Sequence, residues 1–179
     1  MNIGFDAYYL SNRCNTGIGN VVLKIILGLA KTDRRNRYFL FTPDVVHPEI
    51  AAAILKNPNM EIVTVKGLFT PYRRIWLQMP AMRREILSRK IDFFFGGGEC
   101  VPVFLPRTVK TGAIIHDCAF RLHLERLRIS DMLFYTILFP MSFRRLDHIF
   151  TISRSSAPAI RRFYHPGETP IPIVPPGLD

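Results

Sequence analysis

Two glycines one residue apart, Gly17 and Gly19, follow Thr16 and open a strongly apolar, periodic stretch. Glycines at a helix start let a ligand come close to the backbone. The free amides and the helix dipole at that point favour an anion such as phosphate. The alternative is a loop running into a glycine-capped helix. The spacing is GxG with no third glycine, and a loop of about ten residues precedes it, so a dinucleotide fingerprint is not supported. A second candidate is His116-Asp117, which directly follows an apolar run. His116 can donate a hydrogen bond or shuttle a proton near neutral pH; alternatively it bonds the backbone while Asp117 caps a turn. Ser153, the third, stands where a helix N-cap is expected.

These residues need elements to position them. Strands are predicted at Asn2–Ala7, Tyr38–Thr42, Glu61–Val65, Asp92–Phe95, Thr111–Ile115 and His148–Ile152. Val21, Val22, Ile25, Ile26 and Leu29 recur at helical spacing and predict a helix over 18–31. Pro48 suits a first helical turn, and Ile50 and Ile54 give that helix an apolar face. Residues 71–90 read as helical with Pro80 breaking or kinking the helix, and 129–145 read as helical again. A further helix runs from Ser153 to about Tyr164, and a proline-rich extended tail follows.

Short strands alternating with helices imply parallel βαβ crossovers. The runs Phe39-Leu40-Phe41 and Phe93-Phe94-Phe95 do not alternate, as expected of strands covered on both faces. The predicted fold class is α/β: a Rossmann-like, doubly wound, mostly parallel sheet in a single domain over 1–179. Ligands of such sheets bind at the carboxyl ends of the strands, where all three candidates fall.

The bulk properties narrow the function classes. The chain has 179 residues, 48% hydrophobic and 21% charged, which argues against disorder. Its net charge of +10 favours anionic partners, or else is a solvated basic surface. Cys14, Cys100 and Cys118 are far apart, so a zinc site is not expected, and reduced thiols are. The N-terminus does not resemble a signal peptide. The longest nearly apolar run, Met132–Phe143, contains Pro140 and is shorter than the roughly 20 residues a bilayer requires. Being apolar all round, it reads as a buried helix, with a membrane contact as the alternative. The basic and apolar residues of 71–90 fit a helix packed on the sheet, or one lying on a membrane surface. A cytoplasmic location is expected, with possible contact to an anionic membrane face.

The motifs, taken in order, resemble family 4 (group 1) glycosyltransferases of the GT-B type. Ile3-Gly4-Phe5-Asp6-Ala7, followed by Thr16-Gly17-Ile18-Gly19, is similar to the family's start. Pro106 through Ile114-Ile115-His116-Asp117 is similar to its middle motif. Phe150-Thr151-Ile152-Ser153, Ser156, Phe163-Tyr164-His165-Pro166 and Ile173 to Asp179 resemble the approach to its interdomain hinge. Asn20-Val21 stands where relatives often carry Arg-Tyr, and Pro176 where the hinge usually has Asn.

The resemblance implies the N-terminal, acceptor-side half of a retaining glycosyltransferase, with a hinge near 171–179. The donor lobe is then absent or supplied by a separate chain. It implies that amides at Gly17, Ile18 and Gly19 approach the donor phosphate and that His116 contacts the transferred sugar. Asp6, Asp117 and Ser153 would line the cleft or support it. A nucleotide sugar is the donor substrate, with no cofactor and no metal expected. The acceptor is a glycan or a lipid-linked molecule, and the half alone is expected to be inactive. Two other classes stay open: a non-catalytic module for a glycan or lipid-linked sugar, and a basic nucleic-acid-binding α/β domain. Only charge suggests the second, and no nucleic acid is an expected partner.

Overall fold

Six short strands form one sheet, all of them parallel, in the order β3-β2-β1-β4-β5-β6. The computed structural model describes residues 1–12, 16–67, 72–116, 118 and 129–175. The strands are β1 (Asn2–Asp6), β2 (Arg37–Thr42), β3 (Met60–Thr64), β4 (Phe93–Gly96), β5 (Lys110–Ile115) and β6 (His148–Thr151). The helices are α1 (Gly17–Thr32), α2 (Pro48–Leu55), α3 (Arg73–Trp76), α4 (Pro80–Ser88), α5 (Ile129–Leu133), α6 (Phe139–Phe143) and α7 (Ser156–Tyr164). The fold is thus the doubly wound, Rossmann-like α/β class expected from the sequence. The order reverses between β1 and β4, and that switch point is where open sheets of this kind place ligands.

Covering both faces explains the unbroken run Phe39-Leu40-Phe41 in β2. Of the three phenylalanines of β4 only Phe94 is buried, and Phe93 and Phe95 are half-buried, so the expectation of two-sided cover is corrected there. Within β2, Tyr38 and Leu40 join the core under α1 and α2, while Phe39 and Phe41 join the core on the opposite face. The α1 residues Val22, Ile26 and Ala30 repeat every four positions and are buried. Each fully buried Val or Ile contributes about 1.5–3 kcal/mol. Prolines set helix starts: Pro48 and Pro80 begin α2 and α4, because a first-turn residue needs no amide donor. In place of one interrupted helix, two stand apart, Arg73–Trp76 and Pro80–Ser88.

Pro140 has a different effect. It removes the amide that would bond to residue 136, and the segment Phe134–Leu138 between α5 and α6 widens into a π turn. Phe139 N–H donates to the Phe134 carbonyl, five residues back. The proline-rich tail is extended where it is described, and it pairs with the sheet. Thr151 N–H donates to the Pro172 carbonyl at 3.1 Å, and Val174 N–H donates to the Thr151 carbonyl at 2.7 Å. The tail therefore lies beside the last residue of β6, with Ile173 paired in parallel to Thr151.

The two faces are unequally covered. On the α1 side no described helix lies over β4 to β6, and an apolar groove of about 270 Å³ remains. Phe93, Phe95, Ile114 and Phe150 line it, with Val174 of the tail at its edge. Phe95 packs against Phe5 and Phe150, with ring centroids 4.7 and 5.8 Å away.

Candidate functional site

The first turn of α1 and the tip of β5 border one cleft of about 450 Å³. Gly17, Ile18, Lys24, His116 and Ile152 line it, together with Asn20 and Val21. Helix geometry explains the first group. Residues 17, 20–21 and 24 recur at three- and four-residue spacing and share a face of α1, while Val22 and Ile26 turn into the core. Thr16 caps the helix in an extended conformation, and its Oγ1 accepts the Gly19 amide at 3.0 Å.

That bond corrects one expectation. Gly19 is buried and its amide serves the cap, so it does not offer a hydrogen bond to a ligand. Gly17 and Ile18 remain at the cleft, in the turn where a helix gives its amides no internal acceptor. A Cβ on Gly17 would meet nothing within 4 Å. Neither crowding nor a positive φ requires glycine at this position; its small size leaves the backbone open to the cleft.

His116 follows β5 directly and is 8% exposed. The Ser156 hydroxyl, at the start of α7, donates to the His116 carbonyl at 2.9 Å. Ser153 Oγ lies 2.9 Å from Ser156 Oγ and accepts the Ser156 amide at 3.2 Å. Ser153 thus supports the start of α7 by accepting the Ser156 amide, although the N-cap position itself is held by Ser155, and it bears on the cleft by holding Ser156. Thr151 adds a second tie, its hydroxyl donating to the Ile115 carbonyl at 2.8 Å. Together these bonds fix the strand tip that presents the imidazole. Asp117 lies outside the described residues.

Asp6 is placed otherwise than expected for a cleft-lining group. It is fully buried and held in an ion pair. Its Oδ2 accepts two hydrogen bonds from Arg73, at 2.9 and 2.5 Å, and its Oδ1 accepts the Tyr8 amide at 3.2 Å. Burial disfavours the charged guanidinium of Arg73, but the opposing contributions, led by the Asp6 carboxylate, together raise the pKa of Arg73. The glycine run after β4 makes room for this pair. A Cβ on Gly97 would come within 2.4 Å of the Asp6 carbonyl, and one on Gly98 within 2.7 Å of the Arg73 guanidinium. Asp6 therefore braces the β1 and β4 tips at the switch point.

Three contributors escaped the sequence reading. Lys24 brings an ammonium group to the cleft, two turns beyond Gly17 on the same face. Its signal was the helical spacing from Gly17. Ser156 was visible only as part of a motif, and nothing local pointed to Arg73 as the partner of Asp6. Among the described residues no group of three or more His, Cys, Asp or Glu is placed to hold a metal ion.

The fold is that of a Rossmann-like α/β protein, with this cleft at the carboxyl ends of its parallel strands. No protein-family model matches the chain, and no curated protein matches it.

Proposed function

We propose that this chain is the acceptor-side half of a retaining glycosyltransferase, and that its cleft contacts the diphosphate and sugar of a nucleotide-sugar donor held mainly by a second lobe. One observation carries this reading: Gly17, Ile18, Lys24 and His116 line a single cleft at the sheet's carboxyl edge. Amides at a helix N-terminus and a nearby ammonium group suit the negative charge that develops on a departing diphosphate. An imidazole across the cleft can hydrogen-bond the transferred sugar. Lys24 supplies the cation that Asn20 does not. The aromatic groove over β4 to β6, which no described helix covers, supports a partner lobe, because an apolar sheet face is stable when something packs on it. In such an assembly, closure aligns donor with acceptor and excludes water. The activity belongs to the closed pair, so the chain alone has little or no transferase turnover.

Gly17→Val tests the reading without disturbing the fold. The new side chain enters open space, and valine is no worse than glycine in a helix. Isothermal titration with nucleoside diphosphates should show binding to the native chain and at least about tenfold weaker binding to the variant, a loss of about 1.4 kcal/mol. Equal affinity in both, or rapid sugar transfer by the chain alone, would overturn the proposal.

A further inference from the structure

The helical stretch from Ile129 to Phe143 has two apolar faces, and only one is covered. Phe134, Tyr135, Phe139 and Phe143 are buried. On the outer side, Ile129, Leu133, Ile137 and Met141 are 74%, 51%, 57% and 40% exposed, and they recur every four residues. The expectation of a buried helix is therefore corrected on one side, where Leu133, Ile137 and Met141 face outward. Tyr72 and Ile75, at α3, are exposed as well. A groove of about 570 Å³ lies between them and Leu133 and Ile137.

The polar groups of this face are matched internally. Arg74 pairs with Asp131 at 2.5 Å, and its guanidinium lies 4.0 Å from the centre of the Phe134 ring. Asp131 is the only acidic residue between Ile129 and Arg145, so the stripe carries no other carboxylate to repel an anionic partner. Arg144 is exposed three residues beyond Met141. The whole chain carries a net charge of +10.

We infer that this face docks on the surface of an anionic lipid bilayer. The aliphatic stripe enters the boundary between headgroups and acyl chains, with Tyr72 beside it in the polar layer. Anionic headgroups complement the basic charge of the chain. A second copy is the less suitable occupant, since pairing two such chains brings like charges together. No described helix is long and apolar enough to cross a membrane, and a lipid-surface contact needs none. This inference does not depend on the transferase reading.

Vesicle flotation of the full chain tests it, using phosphatidylcholine with and without phosphatidylglycerol. The chain should float with the anionic vesicles and much less with the neutral ones, and added salt should weaken the binding. Leu133→Gln/Ile137→Gln alters two exposed residues and should keep the native circular dichroism melt. Each lost apolar anchor should reduce partitioning about tenfold. Leu133→Trp gives an independent readout, because the one native tryptophan, Trp76, is fully buried. Its emission should shift to the blue on anionic vesicles. No flotation with anionic vesicles, unchanged partitioning of the double variant, or no shift from the reporter would overturn the inference. So would a dimer in light scattering that the double variant dissolves, since a second copy would then occupy the face.

Discussion

Replacing Asp6 with alanine would strand a guanidinium in the interior. The Asp6 side chain is 0% exposed and that of Arg73 10%. The substitution removes both acceptor contacts to Arg73 and the bond from the Tyr8 amide. Breaking a buried pair by deleting one partner costs about 3–5 kcal/mol, mostly because the remaining charge is left uncompensated. In a domain of this size each kcal/mol moves the melting temperature by about 2–4 °C. A central value of ~4 kcal/mol thus predicts a drop of about 8–16 °C for Asp6→Ala, read by circular dichroism at neutral pH. Arg73→Met should fall comparably, since it leaves the carboxylate alone. Asp6→Ala/Arg73→Met leaves neither charge and should lose less than the sum of the singles, with a coupling of about 1–3 kcal/mol. A drop under about 2 °C for Asp6→Ala, or simple additivity in the cycle, would refute the assignment of Asp6 as a structural brace.

The remaining predictions concern titration and reactivity. Burial and the hydrogen bond to Asp33 push the Tyr38 hydroxyl up to about 12. An unfolded tyrosine titrates near 10, so the folded state favours the protonated phenol. This stabilisation is fully present below about pH 10 and is lost as pH rises toward about 12. Urea midpoints should therefore fall over that interval, and less steeply in Tyr38→Phe; equal slopes would count against the assignment. Burial likewise pushes the Cys100 thiol up to about 11, and Cys118 is buried too. A disulfide reagent near pH 8 should label at most one thiol quickly in the native chain and all three in urea. Rapid labelling of two or more native thiols would contradict this packing.

The strands were legible because each is a short apolar run bounded by polar or turn residues, and two-sided burial left its mark in Phe39-Leu40-Phe41. Pro48 marked a helix start because a first-turn residue needs no donor, whereas Pro80, read as an interruption of one helix, turned out to begin a second. What escaped was long-range pairing. Asp6 and Arg73 are 67 residues apart in sequence, and Ser156 and the His116 carbonyl are 40 apart. No local periodicity encodes such contacts. The π turn was missed because Pro140 has several possible outcomes in a helix, including a kink or a break. The exposed stripe of Ile129, Leu133, Ile137 and Met141 was misjudged because hydropathy does not say which faces find a partner. Within the cleft, Gly17 and His116 were readable from their places after strands. Gly19 was not, because the competing Thr16 cap is a matter of geometry.

The most direct test of the central claim is an amide chemical-shift titration of the isotopically labelled chain with a nucleoside diphosphate. The account predicts saturable shifts at Gly17, Ile18, Lys24 and His116, with little change at Leu133 or Ile137. Saturable shifts confined to another surface, or none at Gly17 and His116 up to millimolar ligand, would show that this cleft is not a diphosphate site.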